Sequence, residues 1–319
     1  MAFYDIFNGD ADGICALHQL RLVQPRRAAL VTGVKRDIRL LRNVTPASGD
    51  ELTVLDISLD ANRAPLSEAL RANARVCWFD HHHPGEIPHH PGFEAHIDTD
   101  PQTCTSLIVD RHLGGRHRAW AIVAAFGDNL DAVARKRAHA MGLGEAEIRI
   151  LRELGVYLNY NAYGESVADL RFAPDELYTR LHPYADPLAF ARESTEFETL
   201  RRALAEDLER AAAVPVEQIS AGCAMVVLPE QAWSRRVIGA FANRLAQDFP
   251  SRAHAVLVRR ADGFMVSLRA PVSRPTGADM IARAFSSGGG REGAAGVDAL
   301  PEAELPRLLE ELRRSYPGR

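Results

Sequence analysis

The segment Phe79-Asp80-His81-His82-His83-Pro84-Gly85 decides how the first half of the chain is interpreted. It follows an apolar run at 74–79 that is typical of a buried strand, and the proline and glycine end that strand. The carboxylate and the imidazoles therefore lie at a strand's carboxyl end, the edge where open α/β sheets bind ligands. Neutral histidine nitrogens are common metal ligands and a carboxylate can orient one of them, so the segment indicates a metal site. A surface histidine cluster is the alternative, because the chain has 12 histidines.

Acidic residues follow apolar runs at three other places. Asp10 and Asp12 lie in the segment Phe-Asn-Gly-Asp-Ala-Asp-Gly after the first predicted strand, Asp56 ends a second run, and Asp128 follows a third. An aspartate after a strand is often only a turn residue or a helix cap, and Asp12 before Gly13 is a candidate for that role. A metal site requires the four carboxylates to lie close together in the folded protein, whereas turn or cap residues do not.

In this order, Asp-x-Asp-Gly, a strand-end aspartate, Asp-His-His and a later aspartate resemble the four motifs of the DHH superfamily of phosphoesterases. The superfamily includes RecJ-type exonucleases, nano-RNA and phospho-adenosine phosphatases, cyclic-dinucleotide phosphodiesterases and certain exopolyphosphatases. The segment 286–296, Ser-Ser-Gly-Gly-Gly-Arg-Glu-Gly-Ala-Ala-Gly, is similar to the glycine-rich loop of the DHH-associated domain. The resemblance spans nearly the whole chain.

The resemblance implies a site for two divalent ions. Its metal ligands would be four motif aspartates and one histidine: Asp10, Asp12, Asp56, His81 and Asp128. Asp56 would bridge the ions, and His82 and Asp80 would be catalytic, with His82 contacting the scissile phosphate or the leaving group. Carboxylates suit manganese and magnesium, and imidazole favours manganese, so we expect Mn²⁺ with Mg²⁺ left open. Two such ions hold the phosphate and activate a water as the nucleophile.

Two positions depart from the superfamily pattern. Many members carry His or Asp shortly before the first motif aspartate, where this chain has Ile6 and Asn8. Asn8 offers only a neutral amide oxygen, so the first ion is expected to bind more weakly. The glycine-rich loop normally carries His where this chain has Arg291; arginine binds phosphate bidentately but does not titrate. We therefore expect a different preference for the substrate's end group.

Further residues are candidates for substrate contact. Ser267 and Arg269 resemble the family's phosphate-contacting strand end, and glycine lets the backbone approach an anion closely. The candidate set is Ser267, Arg269, Gly288, Gly289, Gly290 and Arg291. The polar residues Thr103, Thr105 and Ser106 precede an apolar helix, where they either cap the helix or hold a phosphate.

The pattern of apolar residues predicts an α/β fold. Short apolar runs alternate with helical patterns in the first third, which indicates a mostly parallel, doubly wound sheet with helices on both faces. The chain then becomes helical, with one long helix expected at 185–213, and the strand–helix alternation restarts after Val214-Pro215. We expect a DHH-type metal-binding domain at 1–184, a helical linker at 185–214 and a smaller α/β substrate-binding domain at 215–319.

Composition limits the class of protein. The length of 319 residues suggests two domains, and the net charge of −4 gives no overall basic field for long duplex nucleic acid. The four cysteines are scattered without paired spacing, so neither disulfides nor a zinc site is predicted. No apolar run spans a bilayer and no signal peptide is recognisable, so we expect a cytoplasmic protein without a membrane partner. A homodimer is left open.

These observations predict a metal-dependent hydrolase of phosphate esters in small nucleotides. The substrates would be short single-stranded oligonucleotides, dinucleotides or phospho-adenosine phosphates, attacked by a metal-activated water. One alternative is an inorganic polyphosphate or pyrophosphate hydrolase, which would use the same metals. Another is a non-catalytic nucleotide-binding sensor with a degenerate first metal site.

Overall fold

The computed structural model describes residues 1–318 and divides into two compact units, Met1–Arg202 and Ala203–Arg319. The first unit is built on a five-stranded sheet with the order β2-β1-β3-β4-β5. Its strands are β1 (Phe3–Phe7), β2 (Ala29–Val31), β3 (Glu51–Leu55), β4 (Arg75–Asp80) and β5 (Phe93–Ile97). Every neighbouring pair is parallel, so all carboxyl ends lie at one edge. The order places the topological switch point, where such sheets bind ligands, at β1 and β3.

Helices cover both faces of this sheet and then form a helical segment. They are α1 (Ala11–Val23), α2 (Arg63–Arg71), α3 (Thr105–His112), α4 (Arg118–Gly127), α5 (Asp131–Ala140), α6 (Glu145–Asn161), α7 (Pro174–Leu181), α8 (Pro187–Glu193) and α9 (Thr195–Ala212). The single helix predicted at 185–213 is wrong, because the chain is extended at Ser194 between α8 and α9. The Ser194 hydroxyl accepts a hydrogen bond from Phe197 N at 3.3 Å, and such caps begin new helices.

A buried ion pair fixes α1 on the sheet. Arg21 Nε donates to Asp5 Oδ2 at 2.7 Å, and Arg21 Nη2 donates to Thr53 Oγ1 at 3.0 Å. Arg21 and Asp5 are both almost fully buried, so each charge depends on the other for compensation. The pair holds α1 against β1 and β3, and therefore holds the first turn of α1 at the carboxyl edge.

The second unit contains a six-stranded mixed sheet with the order β10-β11-β9-β8-β7-β6. Its elements are β6 (Glu217–Ser220), β7 (Cys223–Leu228), α10 (Ala232–Asp248), β8 (Ala253–Arg260), β9 (Gly263–Arg269), α11 (Ala278–Arg283), β10 (Gly288–Arg291), β11 (Ala294–Pro301) and α12 (Leu305–Ser315). A buried ion pair between Asp207 of α9 and Arg236 of α10 lies within this unit. The predicted α/β fold class, with a parallel sheet and a second smaller α/β unit, is confirmed.

The glycine-rich segment at 286–296 is a β-hairpin rather than the predicted loop. β10 and β11 pair antiparallel, with Gly288 opposite Val297 and Arg291 opposite Ala294. A Cβ atom at Gly288 would lie 1.7 Å from the carbonyl oxygen of Ala282 in α11. Glycine at 288 therefore lets this strand pack directly against a helix. Sequence alone does not separate that requirement from the flexibility of a loop.

Among the described helices, none combines the length and apolar character needed to cross a membrane.

His18 of α1 makes the stability of the first unit depend on pH. Its ring lies against Trp120, its Nε2 is 2.8 Å from the carbonyl oxygen of Tyr184, and burial lowers its pKa to about 3. In the unfolded chain the His18 ring binds a proton near pH 6.5, whereas the buried ring of the folded chain stays neutral at that pH. The free energy of unfolding therefore decreases as the pH falls below 6.5. We expect this residue to lower the free energy of unfolding by about 2 kcal/mol between pH 7 and pH 5.

Chemical denaturation followed by tryptophan fluorescence checks this effect. The difference in unfolding free energy between the unsubstituted chain and His18→Gln should shrink by that amount between the two pH values. A difference that does not change with pH would contradict the assignment.

Candidate metal centre

The Asp-x-Asp-Gly motif forms the tight junction between β1 and α1. Asp10 is the N-cap of α1, and its Oδ1 accepts hydrogen bonds from Asp12 N at 2.9 Å and Gly13 N at 3.1 Å. A Cβ atom at Gly13 would lie 2.1 Å from the carbonyl oxygen of Asn8, so this position requires glycine. The structure therefore gives the cap of α1 to Asp10 rather than to Asp12.

Asp12 binds the first turn of a different helix. Its Oδ2 and Oδ1 accept hydrogen bonds from Thr105 N and Ser106 N of α3, each at 2.7 Å. Ser106 Oγ donates to the backbone oxygen of Asp12 at 2.8 Å. The N-cap residue of α3, Cys104, makes no side-chain cap, so a carboxylate distant in sequence supplies it. The sequence predicted either helix capping or phosphate binding for Thr103, Thr105 and Ser106. The backbone N–H groups of Thr105 and Ser106 take part in capping.

Asp56 lies between the two helix starts and His81. Its backbone has the left-handed conformation, with φ of 58°, which an aspartate can adopt after a strand. Asp56 Oδ1 accepts a hydrogen bond from Thr105 Oγ1 at 3.1 Å and lies 3.5 Å from His81 Nε2. Burial, together with the negative charges of Asp10 and Asp12, raises the pKa of Asp56 well above its usual range. The carboxylate therefore lies in a site with excess negative charge.

Asp80 holds the histidine that follows His81. Its Oδ1 accepts a hydrogen bond from His81 N at 2.9 Å and lies 2.7 Å from His82 Nδ1. Burial alone would lower the pKa of His82, but the hydrogen bond and the charge of Asp80 outweigh it and raise that pKa. The ring is therefore fixed at Nδ1 and favours its protonated form. His83 is exposed and accepts a hydrogen bond from Gly85 N, as expected of a turn residue.

The donor set fits a divalent cation. Asp56, His81 and His82 each offer a ligand atom, and these atoms lie within 4.8 Å of one another. Asp10, Asp12 and Asp80 are also buried, and Asp80 Oδ2 has no hydrogen-bond partner within residues 1–318. Carboxylate oxygen and imidazole nitrogen are suitable ligands for manganese, and a buried cluster of like charges favours a cation. Burial also raises the pKa of Asp128, which indicates the same excess of negative charge.

Lys35, which the sequence analysis did not select, lies inside this cluster. Its Nζ donates to Asp10 Oδ2 and to Asn159 Oδ1, the latter at 3.1 Å, and lies 3.9 Å from Asp128 Oδ1. Burial alone would lower the pKa of Lys35, but the charges of Asp10 and Asp128 hold it well above its usual range. Its ammonium group is therefore a permanent cation beside the first motif aspartate. Lys35 and Lys136 are the only lysines in an arginine-rich chain, and this rarity is the feature of the sequence that could have pointed to Lys35.

Asn8 positions the Lys35 segment. Its amide nitrogen donates to the backbone oxygen of Lys35 at 3.1 Å, and its amide oxygen accepts a hydrogen bond from Asp10 N at 3.2 Å. Both polar groups of the Asn8 side chain are thus engaged within the protein. These contacts favour a structural role over the metal-ligand role considered from the sequence.

In the second unit, several predicted substrate contacts lie on one face of the sheet. Pairing places Gly289 opposite Gly296 and Gly296 opposite Ser267, and it places Ala294 between Arg291 and Arg269. Directly paired residues share a face, so Ser267, Arg269, Gly289 and Arg291 lie together. Gly288 and Gly290 alternate to the other face, which α11 covers. Arg269 Nη1 donates to Ser267 Oγ at 3.0 Å, and Arg291 is exposed.

Comparisons with known proteins agree with both units. Residues 220–316 match the DHHA1 domain. An exonuclease RecJ bound to manganese has a TM-score of 0.61 and 18% sequence identity, covering 98% of this chain and 89% of that chain. The pGpG-specific phosphodiesterase PggH from Vibrio cholerae has a TM-score of 0.52 and 14% identity, covering 99% and 98%. An exopolyphosphatase-related protein from Bacteroides fragilis has a TM-score of 0.51 and 11% identity, covering 99% and 92%.

None of the curated proteins compared with this chain matches it.

Residues 220–316 therefore belong to a DHHA1 domain, and the chain as a whole shares the fold of the RecJ and PggH structures. The motif residues of the first unit come together as the parallel sheet requires, because the carboxyl ends of β1, β3 and β4 are adjacent. The residues that meet at this edge are Asp10, Asp12, Asp56, Asp80, His81, His82 and Asp128. Thr105 and Ser106 contact the set directly, whereas the buried hydroxyl of Thr103 has no hydrogen-bond partner in the part of the chain described.

We predict that Asp56→Asn has opposite effects on stability with and without metal. In the metal-free protein, losing a buried carboxylate among like charges should raise the melting temperature. With excess Mn²⁺ the order should reverse, because we expect this variant to bind the ion at least about tenfold more weakly. Calorimetric titration and thermal unfolding, each with and without chelator, measure both effects.

Asp262→Asn is the matched control, because it removes an exposed carboxylate from the second unit. It should change neither quantity. A metal-free Asp56→Asn protein that is less stable than the unsubstituted chain would show that Asp56 is not in a repulsive site.

Proposed function

We propose that this chain is a metal-dependent phosphoesterase that hydrolyses phosphate esters of small nucleotides. The observation that carries the proposal is the set of buried carboxylates facing His81 and His82 at the carboxyl edge of a DHH fold. Proteins of this fold include an exonuclease bound to manganese and a pGpG-specific phosphodiesterase. The proposed substrates are short oligonucleotides, dinucleotides and phospho-adenosine phosphates. The cytoplasmic location and a homodimer stay predictions.

In this proposal the metal-facing residues and His82 have separate tasks. A divalent ion held by Asp56 and His81 would polarise the phosphate and activate the attacking water. His82 is held at Nδ1 by Asp80, which leaves Nε2 to meet the substrate. Because its pKa is raised, His82 is suited to hold a proton and pass it to the leaving oxygen. Asp80 serves as the residue that orients the ring.

The DHHA1 domain would supply phosphate contacts. Arg269 and Arg291 lie on one face of its sheet, in line across β9, β11 and β10. Neighbouring strands are about 4.8 Å apart, so residues two strands apart are separated by roughly 10 Å. No neighbouring atom lies within 4 Å of a Cβ placed on Gly289, which leaves open space on this face for a ligand. We propose that Ser267, Arg269 and Arg291 bind a substrate phosphate here, with Arg291 replacing the usual histidine.

For the number of ions, the contacts of Lys35 favour one over the predicted two. The ammonium group takes Asp10 Oδ2 and lies near Asp128, both of which were predicted ligands. Asp10 Oδ1 is engaged by the first turn of α1. An ammonium and a divalent ion at one carboxylate oxygen would repel each other strongly at low dielectric. We therefore propose one divalent ion per chain, with Lys35 in place of the other.

Replacing Lys35 tests this arrangement through metal stoichiometry. We expect Lys35→Gln to bind one more Mn²⁺ per chain than the unsubstituted protein, because removing the cation frees two carboxylates. Calorimetric titration and elemental analysis after gel filtration count the ions without reference to activity. Lys35→Arg is the control, since it keeps the charge and should not add an ion. An equal count in the unsubstituted chain and in Lys35→Gln would refute the replacement.

A substrate panel with His82 variants tests the function. With Mn²⁺ present, phosphate or nucleotide release should occur from at least one of a phospho-adenosine phosphate, a dinucleotide or a five-residue oligonucleotide. His82→Gln should lower kcat by about 10²–10⁴-fold, the usual contribution of a positioned acid or base. His83→Gln, at the exposed neighbouring position, should stay within about twofold because a surface turn residue contributes little.

Turnover of polyphosphate alone would replace the nucleotide proposal with the inorganic alternative. Metal and nucleotide binding without any turnover would identify the chain as a sensor.

A further inference from the structure

A second group of metal-ligating side chains lies on the face of the sheet formed by β4 and β5. Cys77 of β4 is directly opposite Glu94 of β5, and His96 follows two residues later on the same face. One ligand atom from each of the three residues lies within 4.8 Å of the other two. His96 Nε2 and Glu94 Oε1 are 2.7 Å apart. The sulfur, oxygen and nitrogen donors are therefore already close together in the folded protein.

His112 of α3 lies next to these three residues as a candidate fourth donor. Its ring centroid is 4.7 Å from that of His96, and the two rings are inclined at 69°. Two imidazoles bound at about 2 Å to one tetrahedral ion have ring centroids roughly 5 Å apart. The ring of Phe79 stacks on His96 at 4.4 Å and contacts His112 edge-on at 5.1 Å. This packing restrains both imidazoles, as the surroundings of metal-binding histidines commonly do.

We infer that Cys77, Glu94, His96 and His112 form a binding site for Zn²⁺. Thiolate and imidazole donors favour zinc, and a hard ion such as Mg²⁺ or Ca²⁺ prefers oxygen ligands throughout. On binding, the Cys77 thiol loses its proton to solvent and the sulfur coordinates the ion, so no redox change is involved. With four protein ligands, the site is of the closed, structural type.

The surroundings suit an ion that arrives from solvent. Cys77, Glu94 and His112 line a cavity of about 480 Å³, which gives an ion a path to the donors. Because the ligands come from β4, the edge strand β5 and α3, an ion would join the edge strand to its neighbour and to a helix. β4 also carries Asp80 three residues after Cys77, so the zinc site would fasten the strand that supplies the Asp-His-His motif. The site uses none of the residues of the candidate metal centre.

Cobalt substitution tests the site through a signal that only a cysteine ligand produces. The full chain carrying Asp56→Asn, which weakens the candidate metal centre, is stripped with chelator and titrated with Co²⁺. We expect a thiolate-to-cobalt charge-transfer band that saturates at one ion per chain and disappears when Zn²⁺ is added. Adding Cys77→Ser should abolish the band. Adding Cys104→Ser should leave it unchanged, although Cys104 is the thiol beside Asp12.

Histidine variants then test the nitrogen ligands. His96→Gln and His112→Gln should each weaken Zn²⁺ binding at least about tenfold in competition with a chromophoric chelator. His139→Gln, at an exposed histidine on α5, should have no effect. The inference is overturned if the parent protein shows no thiolate band, if Cys77→Ser keeps it, or if neither His96→Gln nor His112→Gln changes the affinity.

Discussion

Burying several negative charges at one edge of a sheet is the constraint on which the first unit depends. Asp10, Asp12, Asp56 and Asp80 are all buried there. Two of these charges are compensated by helix starts, since Asp10 caps α1 and Asp12 caps α3. Unsatisfied backbone N–H groups and the helix dipole make such positions favourable for a carboxylate. The remaining excess charge makes the edge favourable for a cation.

The same constraint explains why the helices begin where they do. Asp12 connects the start of α3 to the first turn of α1, although the two segments are far apart in sequence. The buried Arg21–Asp5 pair fixes α1 on β1 and β3, so the carboxylates cannot relax away from each other. Lys35, whose ammonium group donates to Asn159 Oδ1, supplies a positive charge that the protein itself brings to the cluster. The site is therefore held by polar contacts that enclose it, while apolar residues such as Trp78 pack the core of the sheet.

The second unit shows how one sequence pattern serves two structural needs. Gly288 allows close packing of β10 against α11, whereas Gly289 faces open space. Antiparallel pairing sends adjacent residues to opposite faces, so three consecutive glycines divide between the core and the surface. Arg291 then aligns with Arg269 across the intervening strand β11. A run that looks uniformly flexible in sequence is in fact a paired strand with one buried and one exposed side.

The sequence by itself determined the α/β class, the parallel first sheet and the positions of the Asp-x-Asp-Gly and Asp-His-His motifs at strand ends. Those features follow from local periodicity and turn residues, which act over a few positions. Only the tertiary structure decided that Asp10 rather than Asp12 caps α1, that Lys35 lies beside Asp10, and that Ser194 separates α8 from α9. It alone also placed Cys77 and His112 at the lining of one cavity, because neither has the short spacing that marks a zinc site in sequence. The physical reason is common to most of these cases: charge compensation and metal ligation depend on distance in space, and the folded sheet sets those distances between residues that are far apart in the chain.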